Sequence, residues 1–354
     1  MSKLAKSYAA LAPAGRLGLF GIERRSPRAD DVVIEILYCG VCHSDVHNVH
    51  NDWGHSQYPM VPGHEIIGRV LQVGTQVTRL QVGDRVGVGC LVDACRHCSP
   101  CGKGWEQYCE GGATYTYNHT DRIDGTRTHG GYSEQVVVAE HFVLKVPDAL
   151  ALASAAPLLC AGITAYSPLR HWKVGPGSRV AIVGLGGLGH MGLKLAKAMG
   201  AEVTLFSRSP GKQADAHRLG ADRIVISTNA SQMAAVAGQF DLIIDTVPTA
   251  HDVNPYVPTL ATGGTMVMVG YLGPLEQFNT GPLVFSRKAL AGSLIGGIAE
   301  TQEMLEFCAA HGISADVEVI RIQDINEAFE RLLKSDVKYR FVIDMASLQD
   351  EVVA

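Results

Sequence analysis

The second half of the chain alternates short apolar strands with helical patterns, and this alternation restricts the fold more than any other feature. From residue 180 the segments RVAIVG, EVTLF and RIVI are each followed by a helical pattern, and these patterns end near Met199, Leu219 and Gln239. The strand-like segments DLIIDTV and GTMVMVG complete the series. Such alternation predicts successive βαβ units, and therefore an α/β fold with a parallel sheet and helices on both faces.

A glycine-rich loop joins the first of these strands to the first helix. It runs Gly184, Leu185, Gly186, Gly187, Leu188, Gly189, a G-x-G-x-x-G pattern in the strand–loop–helix context that gives the pattern meaning. The first glycine permits a tight turn, the second lets the backbone approach a pyrophosphate, and the third allows close packing of helix on strand. The helix N-terminus adds free N–H groups and a positive dipole end. A doubly wound Rossmann domain over residues 153–295 is predicted, with a ligand-free glycine turn as the alternative.

The residues that follow the second strand indicate which dinucleotide binds. An Asp or Glu at this position would bond the ribose 2′-hydroxyl of NAD. The chain instead has Ser207, Arg208 and Ser209, with Lys212 shortly beyond. Two hydroxyls and two cations suit the additional phosphate of NADP(H). NADP(H) is therefore the predicted cofactor, although an ordinary solvated charged turn would show the same residues.

Four of the nine cysteines fall within fifteen residues, at Cys95, Cys98, Cys101 and Cys109. Clustering of this kind in a large chain points to metal rather than to disulfides. Four thiolates at these spacings can surround one tetrahedral ion and leave no open position, so the predicted zinc is structural. It would stabilise a lobe, residues 90–112, that has little core of its own. Arg96 and Lys103 supply too little positive charge for a zinc-ribbon module that binds nucleic acid.

A second set of metal-ligand residues is scattered along the chain. It comprises Cys42 in CGVCHSDVH, His64 and Glu65 in VPGHE, and Cys160 in LLCAG. Two thiolates and an imidazole leave the fourth position of a zinc ion open, which is the pattern of a catalytic site. A small buried cysteine and a satisfied core histidine are the alternatives at 160 and 64. The remaining cysteines are interpreted as small buried side chains: Cys39, Cys90 and Cys308.

Composition excludes several classes of protein. The 354 residues are enough for two domains, and 30 basic against 35 acidic residues give a net charge of −5, which argues against a nucleic-acid or anionic-membrane partner. Two uncharged spans, 149–169 and 253–275, are interrupted by prolines and polar residues, so neither predicts a transmembrane helix. The N-terminal segment lacks the apolar stretch of a secretory signal, and a cytoplasmic protein is expected.

The first half of the chain contains strand-like segments separated by glycine and proline: VVIEILY, IIGRVLQV, RVGVG and YSEQVVV.

Taken in order, these motifs resemble those of a known family. CGVCHSDVH, PGHE, the four-cysteine lobe, LLCAGITAYSPL, GLGGLGHMG and YRFVID lie between about residues 30 and 345. Together they resemble the zinc-dependent medium-chain alcohol dehydrogenases, and within them the cinnamyl-alcohol-dehydrogenase group with its bacterial NADPH-dependent broad-range aldehyde reductases. The resemblance implies a mostly β, GroES-like catalytic domain over residues 1–152 and 296–354, two zinc ions per chain and a homodimer.

The resemblance also assigns roles around the catalytic zinc. It implies that Cys42, His64 and Cys160 hold the ion, with Glu65 as an alternate or nearby ligand. Among the remaining residues of the CGVCHSDVH motif, Ser44 would bond the substrate oxygen and pass on its proton. Asp45 would orient the ligand histidine, and His47 would be the outer histidine of the proton relay.

Further roles concern cofactor and substrate. The resemblance places His43 near the cofactor pyrophosphate, Arg340 at a second phosphate contact, and the nicotinamide beside Val269, Gly270, Tyr271, Ser293 and Ile295. Trp53 and Ile295 are possible walls of the substrate cleft, or alternatively packing residues. The implied reaction is reversible hydride transfer between NADP(H) and aromatic or aliphatic aldehydes, with primary alcohols in the reverse direction. An NAD-dependent zinc polyol dehydrogenase and a non-catalytic zinc- and nucleotide-binding sensor are the alternative functions.

Overall fold

The computed structural model of the chain describes residues 4–275 and 277–350. The chain divides into two compact units, of which the first contains residues up to 160 and those from 296 onward, and the second contains residues 161–295. The predicted boundary at residue 152 comes earlier than the observed one. The difference arises because the segment Leu152–Leu159 contacts the strands Asp31–Gly40 and Arg340–Asp344 of the first unit.

The strands and helices are numbered in chain order. The strands are β1 (Ala5–Ala9), β2 (Gly18–Ile22), β3 (Asp31–Gly40), β4 (Ile66–Val73), β5 (Arg85–Val88), β6 (Leu91–Asp93), β7 (Thr114–Tyr115), β8 (Gln135–Ala139), β9 (Leu144–Lys145), β10 (Arg179–Val183), β11 (Glu202–Ser207), β12 (Arg223–Ile226), β13 (Phe240–Asp245), β14 (Leu260–Met268), β15 (Ala289–Gly292), β16 (Val317–Arg321) and β17 (Arg340–Asp344). The α-helices are α1 (His43–His50), α2 (Ser99–Gly102), α3 (Leu152–Ala155), α4 (Ala161–His171), α5 (Gly187–Ala198), α6 (Gln213–Arg218), α7 (Ala230–Ala235), α8 (Gly281–Ser286), α9 (Ile298–His311) and α10 (Ile325–Leu333). Short 3₁₀ segments lie at Glu106–Tyr108, Glu140–Phe142, Ala156–Leu159, Pro210–Lys212, Val257–Thr259, Ile322–Asp324 and Met345–Asp350.

The second unit is built on a six-stranded, wholly parallel sheet in the order β12-β11-β10-β13-β14-β15. The chain moves outward from β10 to β12 and then returns to the centre at β13. The strand order therefore reverses between β10 and β13, and this confirms the predicted doubly wound fold. The central strands are apolar and buried because helices pack on the sheet. Three of the large buried rings pack edge to face, with Phe206 5.3 Å from both Phe240 and Tyr256.

Two helices of this unit are shorter than the sequence pattern predicts. The segment that follows EVTLF begins with a 3₁₀ turn at Pro210–Lys212 before α6, and α6 ends before Gly220, where φ is +109°. The segment predicted to be helical through Gln239 is helical only over α7, because the chain turns at Gly238 with φ of +67°. Glycine in this left-handed region ends a helix at little steric cost.

The first unit contains a seven-stranded, mainly antiparallel sheet. Its order is β16-β17-β3-β4-β5-β9, and β8 also pairs with β3. The long strand β3 pairs with β4, β8 and β17 and carries a continuous buried face. The segment YSEQVVV was predicted as a strand from Tyr132, but pairing starts only at Gln135. Residues before it turn to bond the segment that precedes His64, for example through the Tyr132 N–H and the Pro62 carbonyl.

The C-terminal helices α9 and α10 and the final strand β17 agree with the sequence prediction. Helix α10 presents a clear apolar face, buried at Ile325, Phe329 and Leu332. Within the described part of the chain no single helix is long and apolar enough to cross a membrane. One bent pair of segments meets that test by length and composition alone.

Candidate catalytic metal centre, structural metal lobe and dinucleotide site

Helix α1 places the first metal-ligand motif. Cys42 occupies its N-cap position with extended backbone, and the Asp45 carboxylate at the third helical position accepts the Cys42 backbone N–H at 2.9 Å. A carboxylate here satisfies one of the free N–H groups at a helix N-terminus and is also favoured by the helix dipole. No sequence pattern had predicted α1. The capping interaction explains why a helix begins at this motif even though its eight residues include three histidines.

The same carboxylate orients the candidate ligand His64. Asp45 is fully buried, and its Oδ1 atom accepts hydrogen bonds from His64 Nδ1 at 3.1 Å and from the Gly63 N–H at 3.2 Å. Its Oδ2 atom also accepts from the Tyr132 hydroxyl at 3.3 Å. With Nδ1 donating, the lone pair of His64 lies on Nε2, which is the atom left for a metal.

Gly63 allows this arrangement. Its φ is +101°, and a Cβ at this position would lie 2.7 Å from the Tyr132 ring and 2.8 Å from the Cys39 sulfur. Only glycine combines this backbone conformation with such close neighbours. The PGHE motif therefore fixes the direction in which the His64 side chain leaves the backbone.

The candidate catalytic ligands converge. One ligand atom from each of Cys42, His64, Glu65 and Cys160 lies within 4.8 Å of every other. The Sγ atoms of Cys42 and Cys160 are 3.9 Å apart. A tetrahedral zinc ion with Zn–S bonds of about 2.3 Å would hold two sulfurs about 3.8 Å apart, so the observed separation fits. The structure thus brings together four residues that are spread along the sequence between positions 42 and 160.

The charges of this donor set suit a cation. Hydrogen bonding from Cys160, together with the positive charge of Arg340, holds the pKa of the Cys42 thiol well below its usual value despite burial. Burial opposes a charge on His64, but Asp45 and the neighbouring cysteines raise its pKa well above the ordinary value. A metal ion bound here would displace a proton from His64 and be coordinated by both cysteine sulfurs.

Glu65 lies beside the cluster in a buried ion pair with Arg340. The two side chains are 0% and 3% exposed, and one carboxylate oxygen, Oε2, has no hydrogen-bond partner among the described residues. Burial raises the pKa of Glu65 to about 7, against the lowering effect of Arg340. Gly40 makes room for this carboxylate, since a Cβ there would lie 1.9 Å from Oε2. The free oxygen is consistent with an alternate metal ligand. A phosphate contact from Arg340 stays a prediction, because its guanidinium is here buried against Glu65.

Two neighbours of the centre were not anticipated. Cys90, expected to be a small buried side chain, is only partly buried, and hydrogen bonding with Cys160 lowers its pKa. The Tyr117 ring stacks on His64, with ring centroids 5.9 Å apart. Nothing in the spacing of either residue marks it, because each reaches the site only through the fold of the first unit.

The predicted relay and substrate residues lie along and just after α1. The Ser44 hydroxyl donates to the Cys42 sulfur at 3.2 Å and is 3.5 Å from His64 Nε2. His47 Nδ1 is 2.7 Å from an Asp52 carboxylate oxygen, and its ring lies 5.4 Å from that of Trp53, which is 40% exposed.

His43, expected near the cofactor pyrophosphate, is partly buried. Burial lowers the pKa of His43 most strongly, and the positive charges of Arg340 and His47 lower it further. The Cys42 thiolate has the opposite effect and raises this pKa. The contacts of His43 and of Trp53 with cofactor or substrate remain predictions.

The four cysteines of the lobe form a second donor cluster. All four Sγ atoms lie within 4.8 Å of one another, and those of Cys95 and Cys101 are 3.9 Å apart. All four are free thiols in the structure. Backbone N–H groups point at the sulfurs, as from Cys98 to Cys95 at 3.3 Å, and those of His97 and Cys98 lower the pKa of Cys95 to about 6. Among the described strands, the lobe contains the short β6, which pairs with β7 just beyond it, so the lobe has little sheet of its own and this cluster fits a closed, structural zinc site.

The glycine loop of the second unit has the geometry that its motif predicts. Gly184 has φ of +90°, and a Cβ on Gly189 would lie 2.1 Å from the Gly184 carbonyl oxygen, so both positions require glycine. Gly186 caps α5 and has no neighbour within 4 Å of a Cβ, which leaves space in front of the helix N-terminus. Gly187 and Leu188 form the first turn of α5. This arrangement is suited to a pyrophosphate.

The residues after β11 form the expected positive turn. Arg208 and Lys212 are exposed, and the Lys212 ammonium donates to the Leu185 carbonyl of the glycine loop at 2.9 Å. Partial burial lowers the pKa of Lys212, and the positive charge of Arg208 lowers it further. The Ser207 hydroxyl is used within the turn, where it donates to the Ser209 carbonyl at 2.9 Å, and Ser209 caps the following 3₁₀ turn. Two cations therefore lie beside the glycine loop.

The residues predicted near the nicotinamide follow the ends of β14 and β15. Val269 donates its N–H to the Asp245 carbonyl and Ser293 donates to the Met268 carbonyl. Because all strands of this sheet are parallel, these segments lie at the same edge as the glycine loop, where ligands bind in such folds. Gly270 is partly buried, Tyr271 is 75% exposed and Ile295 is 9% exposed. Their contacts with a cofactor remain predictions.

Comparison with known proteins agrees with both units. A family model described as the alcohol dehydrogenase GroES-like domain matches residues 28–148, and one described as zinc-binding dehydrogenase matches residues 187–310. The chain is 54% identical to the aldehyde reductase YahK of Escherichia coli (strain K12), over 93% of this chain and 95% of that protein. It is 52% identical to the NADP-dependent alcohol dehydrogenase C 1 of Mycolicibacterium smegmatis, over 97% and 98% of the two chains.

A solved structure gives the same result. The cinnamyl alcohol dehydrogenase SbCAD4 of Sorghum bicolor superposes with a TM-score of 0.95 at 45% identity, over 99% of this chain and 100% of that one. Sequence identity at this level over nearly the whole length of both chains establishes descent as well as fold. The chain therefore belongs to the zinc-dependent medium-chain alcohol dehydrogenases, in the group that contains the cinnamyl alcohol dehydrogenases and related aldehyde reductases.

Proposed function

We propose that the protein is a zinc-dependent, NADP(H)-linked alcohol dehydrogenase that works as an aldehyde reductase. The observation that carries the proposal is the convergence of Cys42, His64 and Cys160, with the Ser44 hydroxyl beside two of these ligands. Aromatic or aliphatic aldehydes are the proposed substrates, and primary alcohols are the substrates of the reverse reaction. The names of the similar proteins, an aldehyde reductase and an NADP-dependent alcohol dehydrogenase, support this assignment.

Zinc held by Cys42, His64 and Cys160 would supply Lewis-acid polarisation of a carbonyl oxygen. NADPH would supply the hydride. The chain's own residues orient and move protons. Asp45 holds the His64 ring so that Nε2 points away from the carboxylate.

Ser44 is the proposed proton donor during reduction. Its Oγ atom lies 3.2 Å from the Cys42 sulfur and 3.5 Å from His64 Nε2, so a substrate oxygen near these ligands is within reach of the hydroxyl. His47 is the proposed source that restores this proton, and Asp52 orients its ring. In alcohol oxidation the proton would move in the opposite direction.

The preference for NADP(H) rests on the turn after β11. No acidic residue follows that strand before Lys212, and Arg208 is exposed beside the glycine loop. A carboxylate that would bond the NAD ribose and repel a 2′-phosphate is therefore missing. This argues against the NAD-dependent polyol dehydrogenase. A non-catalytic sensor is disfavoured because it would have no use for a serine and histidine placed to transfer protons.

We further propose that the protein is a homodimer joined through the second unit. Strand β15 lies at the end of the sheet and pairs with β14 alone among the described strands. The preceding helix α8 exposes Val284 by 75% and Phe285 by 89%. A free strand edge next to exposed apolar side chains is typical of a protein interface. Light scattering coupled to gel filtration tests this, with Phe285→Asp expected to give a monomer. A cytoplasmic location stays a prediction from the sequence.

A combined activity and binding experiment tests the enzymatic proposal. The wild-type protein is expected to oxidise NADPH when an aromatic aldehyde is added, followed by the loss of NADPH absorbance. Cys42→Ser and His64→Ala are expected to remove turnover and leave NADPH binding, measured by fluorescence titration, nearly unchanged. Cys308→Ser is the matched control, since this buried cysteine belongs to neither metal cluster. Turnover retained in both ligand variants would contradict the zinc mechanism.

A further inference from the structure

Tyr117 contacts both a candidate metal ligand and the residue proposed to deliver the proton. Its side chain is buried, and its ring stacks on that of His64 with 26° between the two planes. Its hydroxyl donates to the Ser44 carbonyl oxygen at 3.4 Å. Asp45 holds one edge of the same imidazole through Nδ1, whereas Tyr117 covers the face of the ring. One buried side chain therefore touches two of the groups that the proposed reduction brings to the substrate oxygen.

Asn48, one turn after Ser44 on α1, strengthens this connection. Its amide nitrogen Nδ2 carries two N–H groups, and it donates to the Ser44 carbonyl at 2.8 Å and to the Tyr117 hydroxyl oxygen at 3.1 Å. The hydroxyl thus accepts one hydrogen bond and donates another, which is within the ordinary capacity of a phenol. Tyr117 is therefore joined to α1 by three hydrogen bonds rather than by the single long one.

The orientation of the Asn48 amide is fixed by its neighbours. Asn118 accepts the Gln57 N–H through its Oδ1 atom at 2.8 Å, so it presents its own NH₂ group to Asn48. Asn48 accepts this NH₂ group through Oδ1 at 3.1 Å, and its Nδ2 atom is left to face Ser44. A backbone N–H at one end of the network and a backbone carbonyl at the other give both amides a single satisfied orientation.

These contacts act on the distance that matters for proton transfer. The Ser44 hydroxyl is 3.5 Å from His64 Nε2, the atom left for the metal. A general acid must come within about 2.6–3.2 Å of the atom that it protonates. Ser44 is the second residue of α1, and helix ends fray. A tie at its carbonyl limits the movement of its hydroxyl relative to the ligand imidazole.

We propose that Tyr117 is a positioning residue for the proton transfer. Its ring fixes the face of His64, and its hydroxyl, together with Asn48, fixes the turn of α1 that carries Ser44. This inference rests on the proposed function, in which Ser44 delivers the proton. The Tyr117 hydroxyl does not deliver it, because its hydrogen is donated to the Ser44 carbonyl. The ring and the hydroxyl have separate roles, so they can be removed one at a time.

Tyr117→Phe removes the hydroxyl and keeps the ring. The zinc-loaded, full-length protein is mixed with NADPH and a limiting amount of an aromatic aldehyde, and NADPH absorbance is followed through a single turnover. Because a positioned general acid contributes at least about 100-fold to a rate, its partial misplacement should slow the variant by about 10-fold. The ratio of the rates in water and heavy water should rise, because proton transfer limits the variant more. The affinities for NADPH, by fluorescence titration, and for zinc, by competition with a chelator, should equal those of the wild type.

Two further variants separate the roles of ring and hydroxyl. Tyr117→Leu removes the ring as well, and it should also weaken zinc binding by about tenfold or more, as expected for loss of a group that orients a ligand. Asn48→Ala should slow the reaction as Tyr117→Phe does. The variant that combines these two changes should be little slower than either alone, because both act through one contact. Tyr108→Phe, at an exposed tyrosine of the zinc lobe, is the matched control and should behave as the wild type does.

The outcomes distinguish this inference from the proposed function. A wild-type protein that does not oxidise NADPH with the aldehyde would refute the function itself. With an active wild type, an unchanged single-turnover rate and isotope effect in Tyr117→Phe would overturn the role of Tyr117. A slower Tyr117→Phe variant with an unchanged isotope effect and weaker binding of zinc or NADPH would also overturn it, because a merely structural tyrosine would give that result.

Discussion

Replacing Asp45 by asparagine tests how the metal centre is held. Each oxygen of this buried carboxylate accepts two hydrogen bonds, Oδ1 from His64 Nδ1 and the Gly63 N–H, and Oδ2 from the Cys42 N–H and the Tyr132 hydroxyl. The amide that replaces it keeps one accepting oxygen and gains an NH₂ group. Whichever way the amide is oriented, two donors would face the NH₂ group.

The magnitude follows from those two donors. A buried donor left without its acceptor costs about 1–3 kcal/mol, so the free energy of unfolding should fall by about 2–6 kcal/mol. The lower end applies if the amide nitrogen faces the Tyr132 hydroxyl, which can rotate and accept. Loss of the carboxylate behind a ligand histidine typically weakens metal binding by about 10- to 100-fold. Both effects are expected together because one side chain caps α1 and orients His64.

Two measurements separate the effects. Urea unfolding of the zinc-loaded protein gives the change in stability, and competition with a chelator gives the affinity of the more weakly held zinc. Asp148→Asn is the control, since this side chain is 97% exposed and should change neither quantity. If Asp45→Asn equals the wild type in unfolding and in zinc affinity, the reasoning about the shared carboxylate is wrong.

Three further predictions follow from particular contacts. Gly40→Ala should displace the Glu65 carboxylate and lower both stability and activity, because the new Cβ would lie 1.9 Å from Oε2. Gly18→Ala is the control, since its Cβ would meet open space, and it should lower neither stability nor activity. Urea unfolding distinguishes the two variants. Arg208→Ala should weaken NADP⁺ binding far more than NAD⁺ binding in parallel titrations, and an equal loss for both would refute the phosphate assignment. Cys98→Ser should lower the thermal midpoint more than it lowers the turnover number measured at low temperature, and a variant as stable as the wild type would argue against a structural zinc.

Local motifs were sufficient to predict much of the architecture and of the donor sets. The glycine loop and the strands around it predicted the parallel sheet, because buried strands and helix N-termini each leave a regular pattern in sequence. The spacing of Cys95, Cys98, Cys101 and Cys109 predicted a cluster that is local in the chain. Cys42, His64 and Cys160 depend on a fold that brings distant segments together. Their residue types suggested an open zinc site with alternatives at 160 and 64, and the family resemblance assigned them as its ligands.

Other features could not be predicted because they depend on tertiary contacts. Helix α1 begins where Asp45 caps it, a position that no hydrophobic periodicity marks. Cys90 reaches Cys160 only through the packing of the first unit, and its sequence context resembles that of any buried cysteine. The buried ion pair of Arg340 with Glu65 joins residues 275 positions apart in the chain, and the predicted phosphate contact of Arg340 stays a prediction. Long-range pairings of this kind leave no local signal.

The most direct test of the central claim is the zinc content of the purified protein and two of its variants, combined with X-ray absorption at the zinc edge. After zinc supplementation and removal of loose metal, the wild type should hold two zinc ions per chain. Cys42→Ser should retain one ion with four sulfur neighbours, and Cys98→Ser should retain one ion with mixed sulfur and nitrogen neighbours. A wild-type protein that holds a single ion surrounded only by sulfur would show that Cys42, His64 and Cys160 do not form a metal site.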